Sequence, residues 1–239
     1  MKLAAIITLS LAVTAALFLL VAGPGTRLEV WSFGTGFTLM RWALAVGLGA
    51  AALALLLLII PRTRRGQAAT LAVALVIGLA TAWVPWSNYQ TVQSLPFIHD
   101  ISTDLEQPPG FVDVVPLRAD APNPVAHPGA ETAAQQRQAY PDIRPLELDL
   151  APQQAFERAL ATARAQGWEI VAAVPAEGRI EATATTFWFG FKDDVVIRIT
   201  PAGNGSRLDI RSKSRVGRSD VGANAARIRA FTTGFARLD

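Results

Sequence analysis

None of the 239 residues is a cysteine. That absence excludes disulfide frameworks, thiolate zinc sites, iron–sulfur clusters and cysteine nucleophiles together. Histidine is nearly missing as well. Only His99 and His127 occur, neither inside an apolar run, so no bis-histidine haem can be built between helices. Charge is also scarce: 17% of residues are charged and 51% hydrophobic, against roughly 25% charged in an average soluble domain. Much of the chain is therefore built to face something other than water.

Three apolar runs account for the excess: Leu3 to Ala22, Leu39 to Ile60 and Gln67 to Trp86. Each is about 20 residues long, and at 1.5 Å rise per residue such a helix crosses a hydrocarbon core of roughly 30 Å. The first run follows Lys2 and precedes Ala22-Gly23, as a signal peptide would. Its length exceeds the roughly 7 to 15 residues of a signal core, which favours an uncleaved helix. The third closes on Trp83, Pro85, Trp86 and Tyr89, rings suited to a water interface. No acid, base or histidine sits at mid-span, so transport is disfavoured. Small residues recur at four-residue spacing in Ala43-Gly47-Ala51, Ala45-Gly49 and Ala74-Gly78-Ala82. Such spacing lets helices approach closely, and the simplest expectation is that these three pack on one another.

The turn Pro61-Arg62-Thr63-Arg64-Arg65-Gly66 carries three arginines and by the positive-inside rule should stay cytoplasmic. The amino terminus then lies on the same side and the tail on the other. In a bacterium this describes a multi-pass inner-membrane protein with a periplasmic carboxy-terminal domain. The sequence thus divides into a membrane domain (1–86), a linker and extended proline-rich segment (87–145) and a folded domain (146–239). Eight prolines between 105 and 145 mark the middle part as surface loop. Residues 1–96 hold six basic groups and one acidic; 97–197 hold seven and 15; 198–239 hold nine and three. A bulk nucleic-acid binder is disfavoured, because the basic excess does not fall across the soluble part as a whole.

From residue 146 onward the pattern is regular. Pro152 and Gly167 bracket a helix with the stripe Phe156, Ala159, Leu160 and Ala163. Four strands follow at 168–174, 179–186, 194–200 and 206–216, joined by short turns, so the sheet should be antiparallel. A last helix, opened by Asp220 as N-cap, carries Val221, Ala225, Ile228, Phe231, Phe235 and Leu238 on one stripe. The expected fold class is α+β: three transmembrane helices, then a small domain with an antiparallel sheet of about four strands packed by two helices.

The block Arg211-Ser-Lys-Ser-Arg215-Val-Gly217-Arg-Ser-Asp220-Val-Gly222-Ala-Asn224 resembles the signature of the domain of unknown function 1499 family. Lys192-Asp193-Asp194 and Asp100-Ile-Ser-Thr-Asp104 also fit it, and the resemblance covers 97–239. It implies no established activity, and it implies bacterial relatives with several preceding membrane helices.

Three candidate sites emerge. At the corner between the fourth strand and the last helix, Arg211, Lys213, Arg215 and Arg218 meet the helix start at Asp220 and Asn224. That group would suit an anionic lipid, an envelope glycan or a membrane protein partner. The alternative is that Asp193, Asp194, Asp209 and Asp220 pair with those arginines and fix the corner. Phe187, Trp188, Phe189 and Phe191 surround Gly190 and would either meet the bilayer or fold under as core. His99, Asp100 and Asp104, with Ser102 and Thr103, form the one cluster offering a base and carboxylates. No recognised nucleophile or metal motif accompanies it, so no metal or cofactor is expected. A non-enzymatic binding or scaffold domain is the preferred function, and an envelope hydrolase using His99, Asp100 and Asp104 is the alternative.

Overall fold

An apolar run that must satisfy its backbone groups by itself in lipid does so as an α-helix. A computed structural model describes residues 2–237 of the chain and holds three such helices, α1 (Lys2–Arg27), α2 (Phe33–Ile59) and α4 (Ala68–Ser94). All three are long and apolar enough to cross a membrane. A four-residue turn of helix, α3 (Pro61–Arg64), occupies the arginine-rich connection. Helix α4 runs eight residues past Trp86, so the stretch expected to extend from the membrane is helical. At 1.5 Å per residue those eight residues rise about 12 Å rather than the roughly 28 Å of an extended chain of the same length.

The small residues do bring helices together. A Cβ built on Gly47 would lie 2.9 Å from the Gly78 carbonyl oxygen, and one on Gly78 only 2.6 Å from that of Gly47. Ala12, Ala50, Ala54 and Ala74 form a common buried cluster. Gly78→Leu is therefore expected to destabilise the helices by about 1 to 3 kcal/mol through overpacking. Gly49→Leu, with nothing within 4 Å of its Cβ position, is the matched control. Thermal melting of both variants in detergent checks this, and equal melting temperatures would refute it.

The chain forms two compact units, residues 1–93 with 187–190, and residues 94–186 with 191–239. Four residues remote in sequence thus belong with the helices. In that unit Trp188 lies over Gly23, and the Phe189 ring stands 5.2 Å from that of Phe37.

The second unit is a six-stranded antiparallel sheet with three helices. Its strands are β1 (Asp100–Ser102), β2 (Leu146–Leu148), β3 (Glu169–Val174), β4 (Arg179–Thr185), β5 (Lys192–Ala202) and β6 (Gly205–Ser214). Order runs β1-β6-β5-β4-β3, and β2 also pairs with β6. Strands β1 and β2 share one edge of β6, at 211–213 and 206–208 respectively. The β5–β6 hairpin closes through Gly203-Asn204, where Gly203 takes the positive φ of 53° that a side chain resists. The two extra strands are three residues each, too short to show an alternation of their own, and exist because β6 presents an edge to pair with.

Helices α6 (Pro152–Ala165) and α7 (Ala223–Ala236) cover one face of the sheet. Ala155, Phe156, Ala159 and Ala163 from α6 and Ala225, Ile228, Phe231 and Phe235 from α7 meet Ile180, Val195, Ile197, Ile199, Leu208 and Ile210 in one core. The expected stripe of the last helix differs at its ends. Val221 precedes α7 with φ 53° and is 39% exposed, while Leu238 lies outside the described residues.

The opposite face of the sheet departs from expectation. Most of its polar positions do not meet water, because residues 103–127 cross over it and bury Phe111, Val114 and Arg118, while Arg198 and Arg207 stay partly exposed. The proline-rich segment is thus folded structure, and it includes a further helix, α5 (Ala130–Ala139). Prolines restrict the chain but do not prevent it from packing when buried partners await it.

Candidate functional site

Alternation places Arg207, Asp209, Arg211 and Lys213 of β6 on one face, in register with Thr200, Arg198, Val196 and Asp194 of β5. The next strand adds Glu181 and Thr183, opposite Val196 and Asp194, and β1 brings Asp100 opposite Lys213. The result is a layer of ions closed over by the crossing segment. Asp100, Asp194, Glu181 and Lys213 are fully buried, and Arg211 and Arg118 nearly so.

Burying a charge is costly unless it is paired and its remaining hydrogen-bonding groups are satisfied. Asp100 and Asp194 meet that requirement by holding two cations each, and Glu181 by pairing with Arg179 at 2.6 Å and accepting two backbone N–H groups. Asp100 accepts both arms of the Arg211 guanidinium, at 2.9 and 2.8 Å, and the Lys213 ammonium at 2.7 Å. Asp194 accepts Arg118 at 2.7 Å, both arms of Arg215 at 2.9 and 2.8 Å, and the Thr183 hydroxyl at 2.8 Å. Glu181 accepts the Val112 and Val114 backbone N–H groups.

Two carboxylates and four cations leave two positive charges over, and backbone carbonyls of the crossing segment cap them. Arg211 donates to Pro109 and Val125, Lys213 to Ala126, and Arg215 to Leu117, at 2.8 to 3.0 Å. Phe111 lies between two guanidiniums, 4.9 Å from that of Arg211 and 5.8 Å from that of Arg118. Burial pushes the Asp100 carboxyl upward, but hydrogen bonds and charge from Arg211 and Lys213 outweigh it and hold the group below its ordinary 3.8. Lys213 and Arg118 are lowered, chiefly by burial.

The corner residues are thus distributed as follows. Arg211, Lys213 and Arg215 are engaged by Asp100 and Asp194, so they do not form the exposed stripe that an anion would meet. Arg218 is exposed, its guanidinium 5.4 Å from the Phe97 ring centroid. Asp220 accepts the N–H groups of Gly222 and Asn224 at 2.9 Å each. It satisfies the start of α7 from two residues before the N-cap, which is Gly222. Asn224 is buried and bridges β1 to β6, bonding the Ser212 and Ser214 hydroxyls and the His99 carbonyl. Asp193 and Asp209 pair elsewhere, Asp193 with Arg227 and Asp209 with Arg198 and Arg207.

The aromatic group is split: Phe189 is buried and Phe187 90% exposed. The His99 cluster does not converge either. Asp100 is held by Arg211 and Lys213, and Asp104 by Arg198 and Arg207 while it accepts the Glu106 and Gln107 N–H groups. His99 lies 3.4 Å from the Arg218 carbonyl through Nδ1. Among the described residues no three His, Cys, Asp or Glu side chains are grouped to hold a metal ion.

Both histidines keep Nε2 buried without a partner. Burial first, and then the Lys213 charge, lowers His99; burial, Arg211 and Lys213 lower His127. Between 6.5 and those lowered values the unfolded chain binds protons that the folded chain does not. The contribution of the two histidines to stability is therefore expected to be full above 6.5 and to be lost as pH drops below it. A second loss should follow below 3.8 as Asp100 and Asp104, both lowered, protonate. Urea unfolding from pH 8 to 3 checks this, and a stability flat from pH 7 to 5 would refute the histidine part.

Sequence reasoning missed Arg118, Glu181 and Gln136. Gln136 of α5 accepts from the Ser102 N–H and donates to the Ser102 carbonyl, locking the edge strand. No local pattern marks their place in the layer: Arg118 reaches Asp194 76 positions away and Gln136 reaches Ser102 34 away, while Glu181, paired with nearby Arg179, closes the layer through N–H groups 67 and 69 positions away. Also unforeseen is an open cleft of about 460 Å³ where the chain leaves β1 and enters β2, bordered by Arg137, Arg144 and Arg207.

A family model described as a protein of unknown function, DUF1499, matches residues 100–235. No curated protein matches the chain.

Proposed function

The chain belongs to the DUF1499 family of proteins of unknown function, and from that premise we propose a non-enzymatic membrane protein. Its carboxy-terminal unit binds an anionic lipid, an envelope glycan or a partner protein. The observation that carries this reading is the commitment of Asp100 and Asp104 to arginine and lysine partners. A hydrolase needs an acid and a base free to exchange protons within reach of one substrate atom. The rival hydrolase would have to dismantle the ion pairs that hold the sheet together. Arg137, Arg144 and Arg207, by contrast, border an open cleft, the usual form of a ligand site.

The three-arginine connection between α2 and α4 supports a cytoplasmic turn, and three crossings then carry the family domain to the opposite face, the periplasm of a bacterial inner membrane. Phe187, exposed beside Arg27 of α1, is the aromatic available to lipid. A carboxy-terminal alkaline phosphatase fusion is expected to be active in a bacterial host; an inactive fusion, with activity of a cytoplasm-dependent reporter at the same position, would reverse the orientation. The binding reading is tested by purifying the full chain from native membranes and identifying what accompanies it. Enrichment of an anionic lipid, glycan or protein over bulk membrane is expected. A bulk lipid profile with no partner, together with a hydrolytic activity abolished by His99→Ala, would replace this reading by the rival.

A further inference from the structure

We propose that the cleft between β1 and β2 binds an oxyanion carried on an apolar body, which deepens and rests on the binding reading above. The edge of β6 is covered at both ends, by β1 and by β2, and the chain must leave it in between. Residues 103–106 depart from β1 and residues 141–145 arrive at β2, and the space between them is the cleft. Its volume of about 460 Å³ falls in the range of small-molecule sites, roughly 300 to 1,000 Å³.

The cations of the cleft are unequal. Arg207 is committed to Asp104 and Asp209 on the floor, and Arg137 is paired with Glu106 on the rim. Among the described residues Arg144 has no carboxylate partner; its Nε donates to the Pro141 carbonyl at 2.8 Å, and its two terminal nitrogens carry no hydrogen bond there. Three guanidiniums against Asp104 and Glu106 leave one positive charge over, and it is placed on Arg144. A planar guanidinium with the edge between its two terminal nitrogens free matches a carboxylate or phosphate oxygen pair. Leu105, Tyr140, Ile143 and Pro145 supply an apolar wall beside it, so the fitting ligand carries its charge on a nonpolar group and not on a sugar or a bare ion. Such an oxyanion is found on a lipid headgroup and on a free amphiphilic acid alike.

The test uses the full chain in detergent, with phenyl phosphate as the amphiphilic probe and inorganic phosphate as the bare head, at constant ionic strength in calorimetry. Phenyl phosphate should bind at least about tenfold more tightly than inorganic phosphate. Arg144→Gln should weaken it about tenfold and Arg144→Lys less, since lysine keeps the charge and loses the fork. Arg144 is exposed, so an unchanged melting temperature should accompany the loss. Arg65→Gln, in the connection between α3 and α4, should bind as the parent does. Competition by phenyl phosphate against vesicles containing phosphatidic acid would assign the site to a lipid headgroup; binding of phenyl phosphate without such competition would assign it to a free acid. No binding by the parent, or equal binding by Arg144→Gln, would overturn the cleft assignment. Recovery of an anionic partner from native membranes in that case would leave the broader binding reading standing.

Discussion

Asp100→Ala is expected to cost about 3 to 5 kcal/mol of unfolding free energy, because it leaves two buried cations with no counter-ion. Arg211 is 3% exposed and Lys213 0%, so water cannot take the place of the carboxylate. The companion change Lys213→Met should cost far less, about 1 kcal/mol. It removes one of two cations from a carboxylate that still holds Arg211 by both arms, and its apolar chain fills similar space. Chemical denaturation followed by circular dichroism measures both. Equal costs would mean that Asp100 is no more than a packing group and that the ionic layer does not organise the sheet.

The second large effect belongs to the other face. Phe231 is completely buried, and its ring stacks on Trp168 at 5.5 Å between centroids and lies 6.1 Å from Phe235. Phe231→Ala removes the centre of contact between α7 and the sheet, and about 3 to 5 kcal/mol should be lost to the cavity and the lost transfer energy. Phe187→Ala, at a ring 90% exposed, should change stability by no more than about 0.5 kcal/mol. Loss of the carboxy-terminal unit in both variants, measured by proteolysis, would show that Phe187 has a structural role the exposure does not reveal.

Periodicity made the apolar half of this fold legible. Of the stripes that 3.6-residue spacing marks, Phe156, Ala159 and Ala163 with Ala225, Ile228, Phe231 and Phe235 are buried and Leu160 is partly buried against them, while Val221 is exposed and Leu238 lies outside the described residues. Alternation in β6 separated Leu208 and Ile210 from Arg207, Asp209, Arg211 and Lys213 correctly. What alternation does not carry is the destination of the polar face, since a charged face usually means solvent. The covering chain is proline-rich, and its one strong apolar contribution comes from scattered residues, Phe111 and Val114, with no period. Asp100 was visible as a functional-looking acid beside a histidine, but its partners come from a strand more than 100 residues later. The cleft was illegible for the same reason: Asp104, Arg144 and Arg207 meet only once β1 and β2 share an edge.

That long separation sets the order in which the family domain can be completed. Asp100 and Arg211 are 111 positions apart, and at about 5 to 20 residues per second a ribosome needs roughly 5 to 20 seconds to travel from one to the other. Throughout that interval β1 has no edge to join and the crossing segment has no cations to cap. Only local pieces, helices α5 and α6 and then the β3–β4 hairpin with β5 beside it, have all their parts in hand. The sheet therefore grows from its β3 edge toward β6, and its earliest-made strand is among the last to be seated. A chain released before residue 211 holds the carboxylates of this layer without most of their counter-ions. Such a fragment should remain open and be degraded, which makes the segment from Arg211 onward the checkpoint for all that precedes it.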